Sequence, residues 1–258
     1  MGIITLTTDF GTRDWFVGTL KGVILSVAPN ATIVDLMHEI PPGDIRAGAF
    51  ALAAGFRFFP KGTVHVAVVD PGVGSTRSAI AVRTSRYLFV GPDNGVLSFA
   101  LAGEKIKSIH RLANEEFFLR PVSRTFHGRD VFAPVAAHLS RGVSIGRLGP
   151  QQKEFTQLAW PKPRLERGVA NGEILYVDRF GNAITNLDAN SLRLSATLEV
   201  FAKRRRLCRL EEFYAAVPAG RAVAVVGSSG FLEIAVNGGS AAEKFGLNVG
   251  DRITLRRC

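Results

Sequence analysis

The sequence predicts two domains, an N-terminal α/β domain with a mostly parallel sheet and a C-terminal all-β barrel. In the first 150 residues, strand-like apolar runs alternate with segments of helical periodicity, which is typical of a parallel sheet covered by helices on both faces. After Gly149-Pro150 the helical periodicity nearly disappears, and short apolar runs separated by turns follow. We therefore predict an α/β domain over residues 1–150, a linker over 151–168 and a barrel over 169–258.

The individual elements follow from hydrophobic spacing. Short apolar runs predict strands of the first domain at 3–8, 32–36 and 64–69, and a hairpin of 78–83 with 87–90. Apolar residues at helical spacing predict helices at 15–27, 45–59, 94–101 and 130–140. Short runs between turns predict the strands of the barrel at 172–177, 196–202, 222–227, 231–236 and 252–255.

Composition narrows the class of protein. Of the 258 residues, 47% are hydrophobic and 21% are charged, as in ordinary soluble globular domains. No apolar run approaches the ~18 residues of a membrane-spanning helix, and the first residues lack the basic region of a signal peptide. Two cysteines, Cys208 and Cys258, are too few for a disulfide framework or a zinc site. We therefore predict a cytoplasmic protein with no membrane partner.

The chain is basic, with a formal net charge of +10, and its densest basic cluster is residues 203–206 with Arg209 nearby. A basic surface can bind nucleic acid or another anion. The cluster has no interleaved aromatic residues and lies in no recognisable nucleic-acid module, so we predict no nucleic-acid partner. Two interpretations of the cluster stay open, a solvated loop or strand end and a phosphate-binding patch.

Polar residues follow the predicted strand 64–69 at the point where it leaves the sheet. Asp70 comes directly after this strand, and a loop with two glycines leads from it to Arg77. Ligands of open α/β sheets bind at this edge, and an arginine beside an aspartate keeps the acid ionised. The pair predicts part of an active site, with a structural ion pair that braces the loop as the alternative.

His127 lies in a second polar stretch, residues 126–130, just before a predicted helix. A histidine in a loop at a helix start can transfer a proton or orient a water molecule, and a surface or packing histidine fits the same pattern. The other histidines fall within predicted strands, helices or plain loops, and no histidine pair has the spacing of a metal site. We therefore predict no metal.

Three further stretches carry candidate binding residues. Asp9 ends the first strand, where a carboxylate can accept hydrogen bonds from a vicinal diol such as a ribose or can cap a turn. Phe180 and Asn182 lie in a stretch that can bind a purine by stacking and by edge hydrogen bonds, with a hairpin turn as the alternative. Glu233 interrupts an apolar strand that follows the glycine- and serine-rich run 227–230. An acid at this place can bind an ammonium group or can face solvent.

As a set, these stretches resemble one family, the S-adenosylmethionine hydrolases that form adenosine, also called S-adenosylmethionine hydroxide adenosyltransferases. The resemblance covers nearly the whole chain, from residues 7–11 to the segment around Ser228, and its most specific motifs are 70–77, 126–130 and 178–186. It implies hydrolysis of S-adenosyl-L-methionine to adenosine and L-methionine by in-line attack of water at C5′, without a cofactor. It also implies a homotrimer whose active sites lie between the N-terminal domain of one subunit and the barrel of the next.

The resemblance also implies roles for individual residues. The family's catalytic triad, which handles the attacking water, corresponds here to Asp70, Arg77 and His127. The substrate-binding residues that it implies are Asp9 for the ribose, Phe180 and Asn182 for adenine, and Asp178, Ser228 and Glu233 for the amino-acid end. Asn94, at the start of a predicted helix, completes the predicted substrate-binding set.

The related halogenases, the fluorinases and chlorinases, depart from this sequence at two places. They carry a different loop and halide-pocket residues where this chain has 73–77 and His127, and an arginine where it has Ser229. The resemblance therefore favours water over halide as the nucleophile and leaves the group that binds the substrate carboxylate unassigned. The remaining alternative is a protein that binds the adenosyl ligand without converting it.

Overall fold

The computed structural model describes residues 2–166, 169–188 and 198–257, and the chain divides into two compact units, Met1–Leu158 and Ala159–Cys258. The elements of the first unit are β1 (Ile3–Thr8), α1 (Phe16–Val27), β2 (Thr32–Met37), α2 (Ile45–Gly55), β3 (Val64–Val68), β4 (Ala79–Thr84), β5 (Leu88–Pro92), α3 (Ser98–Leu101), β6 (Ile106–Arg111), α4 (Ala133–Ser140) and β7 (Gln151–Gln152). Short 3₁₀ helices lie at Phe56–Phe58, Glu115–Phe117 and Ile145–Leu148, and a π-helical turn, Gly128–Phe132, leads into α4.

The sheet of the first unit is mixed, so the prediction of a mostly parallel sheet is only partly correct. In the strand order β2-β1-β3-β5-β4-β6-β7, the pairs from β2 to β5 are parallel, and the remaining pairs are antiparallel. Only residues 85–87 separate β4 from β5, which permits the predicted hairpin, whereas a parallel pair needs a crossover of about a dozen residues. The antiparallel half therefore begins where the chain has no room for a crossover helix.

Alternation along β1 and β3 sends side chains into two separate layers. Ile4 and Val66 pack on one face in a core that includes residues of α1 and α4. Thr5 and His65 belong to the other face, where the His65 ring contacts Phe56, the residue that follows α2. Both strands are buried along most of their length because helices cover the two faces.

Two helices of the first unit differ from their predicted bounds. Only Ser98–Leu101 of the predicted helix 94–101 is helical, because the Asn94 side chain accepts a hydrogen bond from the Val96 N–H at 3.2 Å and Gly95 has a φ of +101°. The predicted helix 45–59 leaves the α conformation after Gly55 and continues as a 3₁₀ turn. In the first case local turn chemistry overrides the apolar spacing.

His65 is a buried group whose protonation we expect to reduce stability in acid. Its Nδ1 lies 2.8 Å from the Thr5 hydroxyl oxygen, and aromatic rings surround it, those of Phe56, Phe59, Tyr87 and Phe89. Burial lowers the pKa of His65 from 6.5 to about 4. The unfolded chain therefore binds this proton more tightly, and the free energy of unfolding should fall by up to about 3 kcal/mol as the pH drops from about 6.5 to about 4.

Denaturant titrations across this pH range measure the effect. The variant His65→Gln removes the titrating ring and should flatten this part of the stability profile, whatever its stability at neutral pH. An unchanged slope in the variant would assign the acid sensitivity to other groups.

The second unit forms a nearly closed antiparallel barrel, which confirms the predicted barrel. Its elements are β8 (Arg164–Glu166), β9 (Val169–Val177), β10 (Ala183–Asp188), β11 (Leu198–Ala202), β12 (Arg205–Arg209), β13 (Ala222–Val226), β14 (Phe231–Val236), α5 (Ala241–Phe245) and β15 (Arg252–Arg257). The strand order is β12-β11-β15-β9-β10-β14-β13, and a bridge between Leu210 and Ala224 links the two ends of this order. Residues 196 and 197 of the predicted strand 196–202 lie outside the described residues.

Five elements of this part of the chain lie outside the strands and helices predicted above: β7, β8, β10, β12 and α5. β7 and β8 both lie in the predicted linker 151–168, where β7 pairs with β6 and β8 with β9. The short helix α5 has no detectable periodicity over five residues; the Ser240 hydroxyl caps its start, and Gly246 with a φ of +60° ends it. Among the described residues, no helix is long and apolar enough to span a membrane.

Candidate active site

Asp70, Arg77 and His127 form one hydrogen-bonded group in the first unit. The Arg77 Nε donates to Asp70 Oδ1 at 2.9 Å and its Nη2 donates to Asp70 Oδ2, so the guanidinium holds the carboxylate with two bonds. The same Nη2 lies 2.8 Å from His127 Nδ1. Because arginine can only donate, His127 Nδ1 accepts, and the proton of the neutral ring lies on Nε2. The fold thus brings together three residues that lie in two separate sequence motifs.

The loop after β3 places Arg77 next to the His127 segment. Two turn hydrogen bonds fold this loop, from Val73 N to Asp70 O at 3.2 Å and from Ser75 N to Gly72 O at 3.1 Å. Gly74 has a φ of +76°, and a Cβ there would lie 2.2 Å from the Arg124 carbonyl oxygen. Any side chain at this position would push the two segments apart, so this glycine permits the contact between Arg77 and His127.

The buried carboxylate of Asp130 organises the backbone around His127. Asp130 Oδ2 accepts from the Ser123 N–H at 2.8 Å, and Arg129 Nε donates to Asp130 Oδ1 at 2.6 Å. The Ser123 hydroxyl in turn accepts from the Phe126 N–H at 3.0 Å. Sequence reasoning singled out only His127 in this stretch and missed Asp130; an acid at the start of an apolar helix face is the signal that could have identified it.

The surroundings of His127 favour its neutral form. Burial lowers the pKa of His127 and the positive charge of Arg77 lowers it further, against weaker raising effects of Asp70, Asp130 and a backbone hydrogen bond at Ser123. The ring is therefore neutral near pH 7, the state in which Nδ1 can accept from Arg77.

The triad borders a cleft of about 530 Å³, a volume typical of small-molecule sites. The residues that line it are Asp9, Phe10, Phe16, Pro42, Gly43, Val68, Asp70, Pro71, Val73, Thr125, Phe126, His127 and Gly128. Three phenylalanine rings form one wall of the cleft. Their centroids lie 5.3 Å apart for Phe16 and Phe126 and 5.7 Å apart for Phe10 and Phe126. Arg77 contacts Asp70 and His127 from outside the lining.

Asp9 enters the same cleft from the end of β1. Its Oδ2 accepts from the Gly43 N–H at 2.8 Å, and burial raises the pKa of Asp9, with a further raising effect of the Asp70 charge. His38 supports this loop twice: its Nδ1 lies 2.8 Å from the Thr8 hydroxyl oxygen, and its carbonyl accepts from the Gly11 N–H at 2.8 Å. Sequence reasoning missed the loop of His38 and Gly43, although Pro41, Pro42 and Gly43 mark it as a turn.

Asn94 lies outside the cleft lining. Its side-chain amide donates to the Val69 carbonyl at 2.8 Å, and its Oδ1 accepts from the Val96 N–H at 3.2 Å. Both ends of the side chain therefore bind backbone, and the bond to Val69 fixes the chain directly before Asp70.

In the second unit, Asp178 and Asn182 form a polar turn between β9 and β10. Asp178 Oδ1 accepts from the backbone N–H groups of Phe180 at 2.9 Å and Asn182 at 2.8 Å, and its Oδ2 accepts from Asn182 Nδ2 at 3.0 Å. The Phe180 side chain is 76% exposed. The hairpin turn and the exposed aromatic ring are thus present in the same five residues.

Glu233 is a buried acid on β14 near this turn. Its Oε2 accepts from the Tyr214 hydroxyl at 2.8 Å, and burial raises the pKa of Glu233, with the Asp178 charge adding to the effect. Burial and the same hydrogen bond raise the pKa of Tyr214 to about 12. A Cβ at Gly227 would lie 1.7 Å from Glu233 Oε1, so the carboxylate lies directly against this backbone. Sequence reasoning missed Tyr214, which begins a 3₁₀ helix, Tyr214–Ala216, that is too short to show periodicity.

Two adjacent serines follow Gly227. Ser228 is exposed, and the hydroxyl oxygen of Ser229 is buried with no hydrogen-bond partner within the described part of the chain. The region thus holds an unsatisfied hydroxyl in the turn before β14 and a buried acid on that strand.

Comparison with protein families is consistent with this geometry. The model described as the SAM hydroxide adenosyltransferase N-terminal domain matches residues 4–149, and the model of the C-terminal domain matches residues 172–254. The chain belongs to this family. The resemblance predicted from the sequence motifs is therefore confirmed, and the two models correspond to the two units of the chain.

Individual relatives match the chain over nearly its full length. The protein named (R)-S-adenosyl-L-methionine hydrolase from Salinispora tropica is 41% identical, with 98% of this chain and 97% of the relative covered. A fluorinase from an Actinoplanes species is 27% identical, with 99% and 97% covered. The crystal structure of an uncharacterized conserved protein from Thermotoga maritima has a TM-score of 0.93 at 36% identity, with 99% and 100% covered. The chain is thus more similar to the hydrolase than to this fluorinase.

Proposed function

We propose that this protein hydrolyses S-adenosyl-L-methionine to adenosine and L-methionine. The observation that carries the proposal is the Asp70-Arg77-His127 group beside a cleft, in a chain that matches a named hydrolase over nearly its full length. In the reaction a water oxygen bonds to C5′ as the C5′–S bond breaks. The bonding electrons pass to the positively charged sulfur, which becomes the neutral thioether of methionine, and one proton leaves the water.

The leaving group needs no acid, so the task of the site is to supply a competent nucleophile. Holding one water in line with the C5′–S bond can lower the activation barrier of the reaction by up to roughly 7–11 kcal/mol. Arg77 does not line the cleft, so its positive charge stabilises the hydroxide character that develops on this water from behind Asp70 and His127. The proton passes to the Asp70–His127 pair, whose titration belongs to the coupled group. With the His127 proton on Nε2, the ring can take the new proton only at Nδ1, in place of the hydrogen bond from Arg77.

The substrate-binding roles follow the same proposal. Asp9, a half-buried carboxylate that lines the cleft, accepts the ribose hydroxyls. Asn94 supports binding through the backbone before Asp70. In the barrel, the adenine contacts are Phe180 and Asn182, and the residues at the amino-acid end are Asp178, Ser228 and Glu233.

The proposal includes the assembly and the place of action. The domain 1–150 handles the water, the barrel 169–258 binds adenine and the amino-acid end, and residues 151–168 connect them. A homotrimer pairs the N-terminal unit of one subunit with the barrel of the next, in the cytoplasm. Light scattering during gel filtration tests the assembly, which should have the mass of three chains of 27.8 kDa each.

Product analysis in ¹⁸O-labelled water tests the reaction. The purified protein is incubated with S-adenosyl-L-methionine, with and without halide salts, and products are identified by mass spectrometry. Adenosine labelled at its 5′ oxygen together with unlabelled methionine is the expected result. Halogenated adenosine would move the protein to the halogenase branch, and intact substrate despite tight binding would identify a non-enzymatic adenosyl-ligand sensor.

Replacing Asp9 should weaken substrate binding as well as turnover. The variant Asp9→Asn keeps the shape of the side chain and removes the charge that attracts the two ribose hydroxyls, so we expect KM to rise by about tenfold or more. Steady-state kinetics measure the change. Glu115→Gln, in an exposed ion pair of the same unit, removes one carboxylate as a control and should leave KM unchanged. Equal KM values for Asp9→Asn and the control would remove Asp9 from the site.

A further inference from the structure

The second unit contains a basic cleft that the proposed function does not use. The cleft measures about 550 Å³ and lies between β12, the loop before β13, and α5. Its charged lining residues are Arg205, Arg206, Arg209, Arg221 and Lys244, with Glu211 as the acid. The basic cluster noted in the sequence supplies only part of this lining, because Arg221 and Lys244 come from separate segments that the barrel brings to it.

The positive charges of the basic cleft are only partly neutralised by the protein. Arg206 Nη1 and Arg209 Nε share one carboxylate oxygen, Glu199 Oε1, at 2.9 Å and 3.6 Å. In the described part of the chain, neither Arg205 nor Arg221 forms an ion pair with a carboxylate. Like charges gathered around one concave surface repel each other, and a bound anion would relieve that repulsion.

One aromatic ring gathers two of these cations. The guanidinium carbon of Arg205 and the Nζ of Lys244 each lie 5.9 Å from the centroid of the Phe245 ring. The Lys244 ammonium also donates to the Gly220 carbonyl, which fixes its position at the cleft. Arg205 and Lys244 are therefore held at the cleft by contacts other than carboxylates.

We propose that the basic cleft binds the phosphate chain of a small molecule, either an inorganic oligophosphate or the triphosphate end of a nucleotide. Guanidinium groups bind phosphate oxygens in pairs, and four arginines converge here. The volume falls within the range of small-ligand pockets, about 300–1,000 Å³. A nucleic-acid strand fits less well, because single-strand sites present free aromatic faces to the bases, and Phe245 already carries two cations.

Calorimetric titration of the full-length protein with inorganic tripolyphosphate, at physiological salt, tests this proposal. We expect one binding event per chain that weakens as salt is raised. The double variant Arg205→Gln/Arg221→Gln removes the two cations without carboxylate partners and should weaken binding at least tenfold. The matched control Lys61→Gln/Lys105→Gln removes two exposed charges from the first unit and should leave the affinity within twofold.

Titrations with a nucleoside triphosphate and with an oligonucleotide identify which kind of phosphate ligand the cleft prefers. A nucleoside triphosphate that binds as tightly as tripolyphosphate supports a site for the phosphate chain alone, and tighter binding supports a nucleotide. Absence of binding, or equal weakening by the two double variants, would overturn the proposal in favour of general surface charge. An oligonucleotide that binds more tightly than both small molecules would overturn it in favour of nucleic acid. Arg205 and Arg221 are exposed, so their replacement should leave the fold intact. Thermal melting verifies that the double variant is folded.

Discussion

Replacing Arg77 by alanine should lower turnover by ~10²–10⁴-fold while substrate binding is largely preserved. The guanidinium donates to both oxygens of Asp70 and to His127 Nδ1, so its removal breaks all three hydrogen bonds of the group. Arg77 does not itself line the cleft, and the groups proposed to bind the ribose are left in place. Single-turnover rates at saturating substrate, together with a separate measurement of substrate affinity, distinguish the two effects.

Two further variants make the Arg77 result interpretable. The Asp70 side chain is only 5% exposed, and the loss of its partner also lowers stability. Arg77→Lys keeps a positive charge but not the paired hydrogen bonds, and its turnover should lie between those of the wild type and Arg77→Ala. Arg120→Ala breaks the exposed ion pair with Glu115 and should leave turnover unchanged. Wild-type turnover in a folded Arg77→Ala variant would end the assignment of the triad.

Replacing His127 by alanine should also lower turnover by ~10²–10⁴-fold, with binding largely preserved. His127 lines the cleft and accepts from Arg77, so its loss removes both a proton acceptor of the pair and one contact that holds the guanidinium. His127→Asn offers a carbonyl oxygen to Arg77 but no titrating ring. Full turnover in this variant would restrict His127 to holding Arg77, whereas a loss similar to that of alanine supports its part in proton transfer.

The pH profile gives an independent test of the same residue. Burial and the Arg77 charge lower the pKa of His127, so the ring stays neutral until the pH falls below the ordinary histidine value of about 6.5. Protonation below that point places a second cation against Arg77, and turnover should fall on the acid side only. The acid limb should be absent from His127→Asn. A profile of the same shape in both proteins would assign the limb to another group.

Much of the fold could be predicted because local patterns agree with the tertiary structure. The run 64–69 is apolar at nearly every position, and β3 is buried on both faces. The hairpin of β4 and β5 follows from a connection of three residues, 85–87. The sequence does not predict that this hairpin begins the antiparallel half of the sheet, in which β4 also pairs with β6. The strand with which β4 pairs depends on contacts between residues that are far apart in the chain.

The candidate site likewise has features that the sequence predicts and features that only the structure shows. The sequence by itself determined the family and the residue types of the site, because motifs such as 70–77 and 126–130 are contiguous and carry unusual polar groups. Only the tertiary structure decided that Arg77 links Asp70 to His127, that Asp130 and His38 support the two loops, and that Arg221 and Lys244 join the basic cleft. The physical reason is that hydrogen bonds and charges act over a few ångströms in space, and separation along the chain does not reveal which groups the packed core brings within that distance.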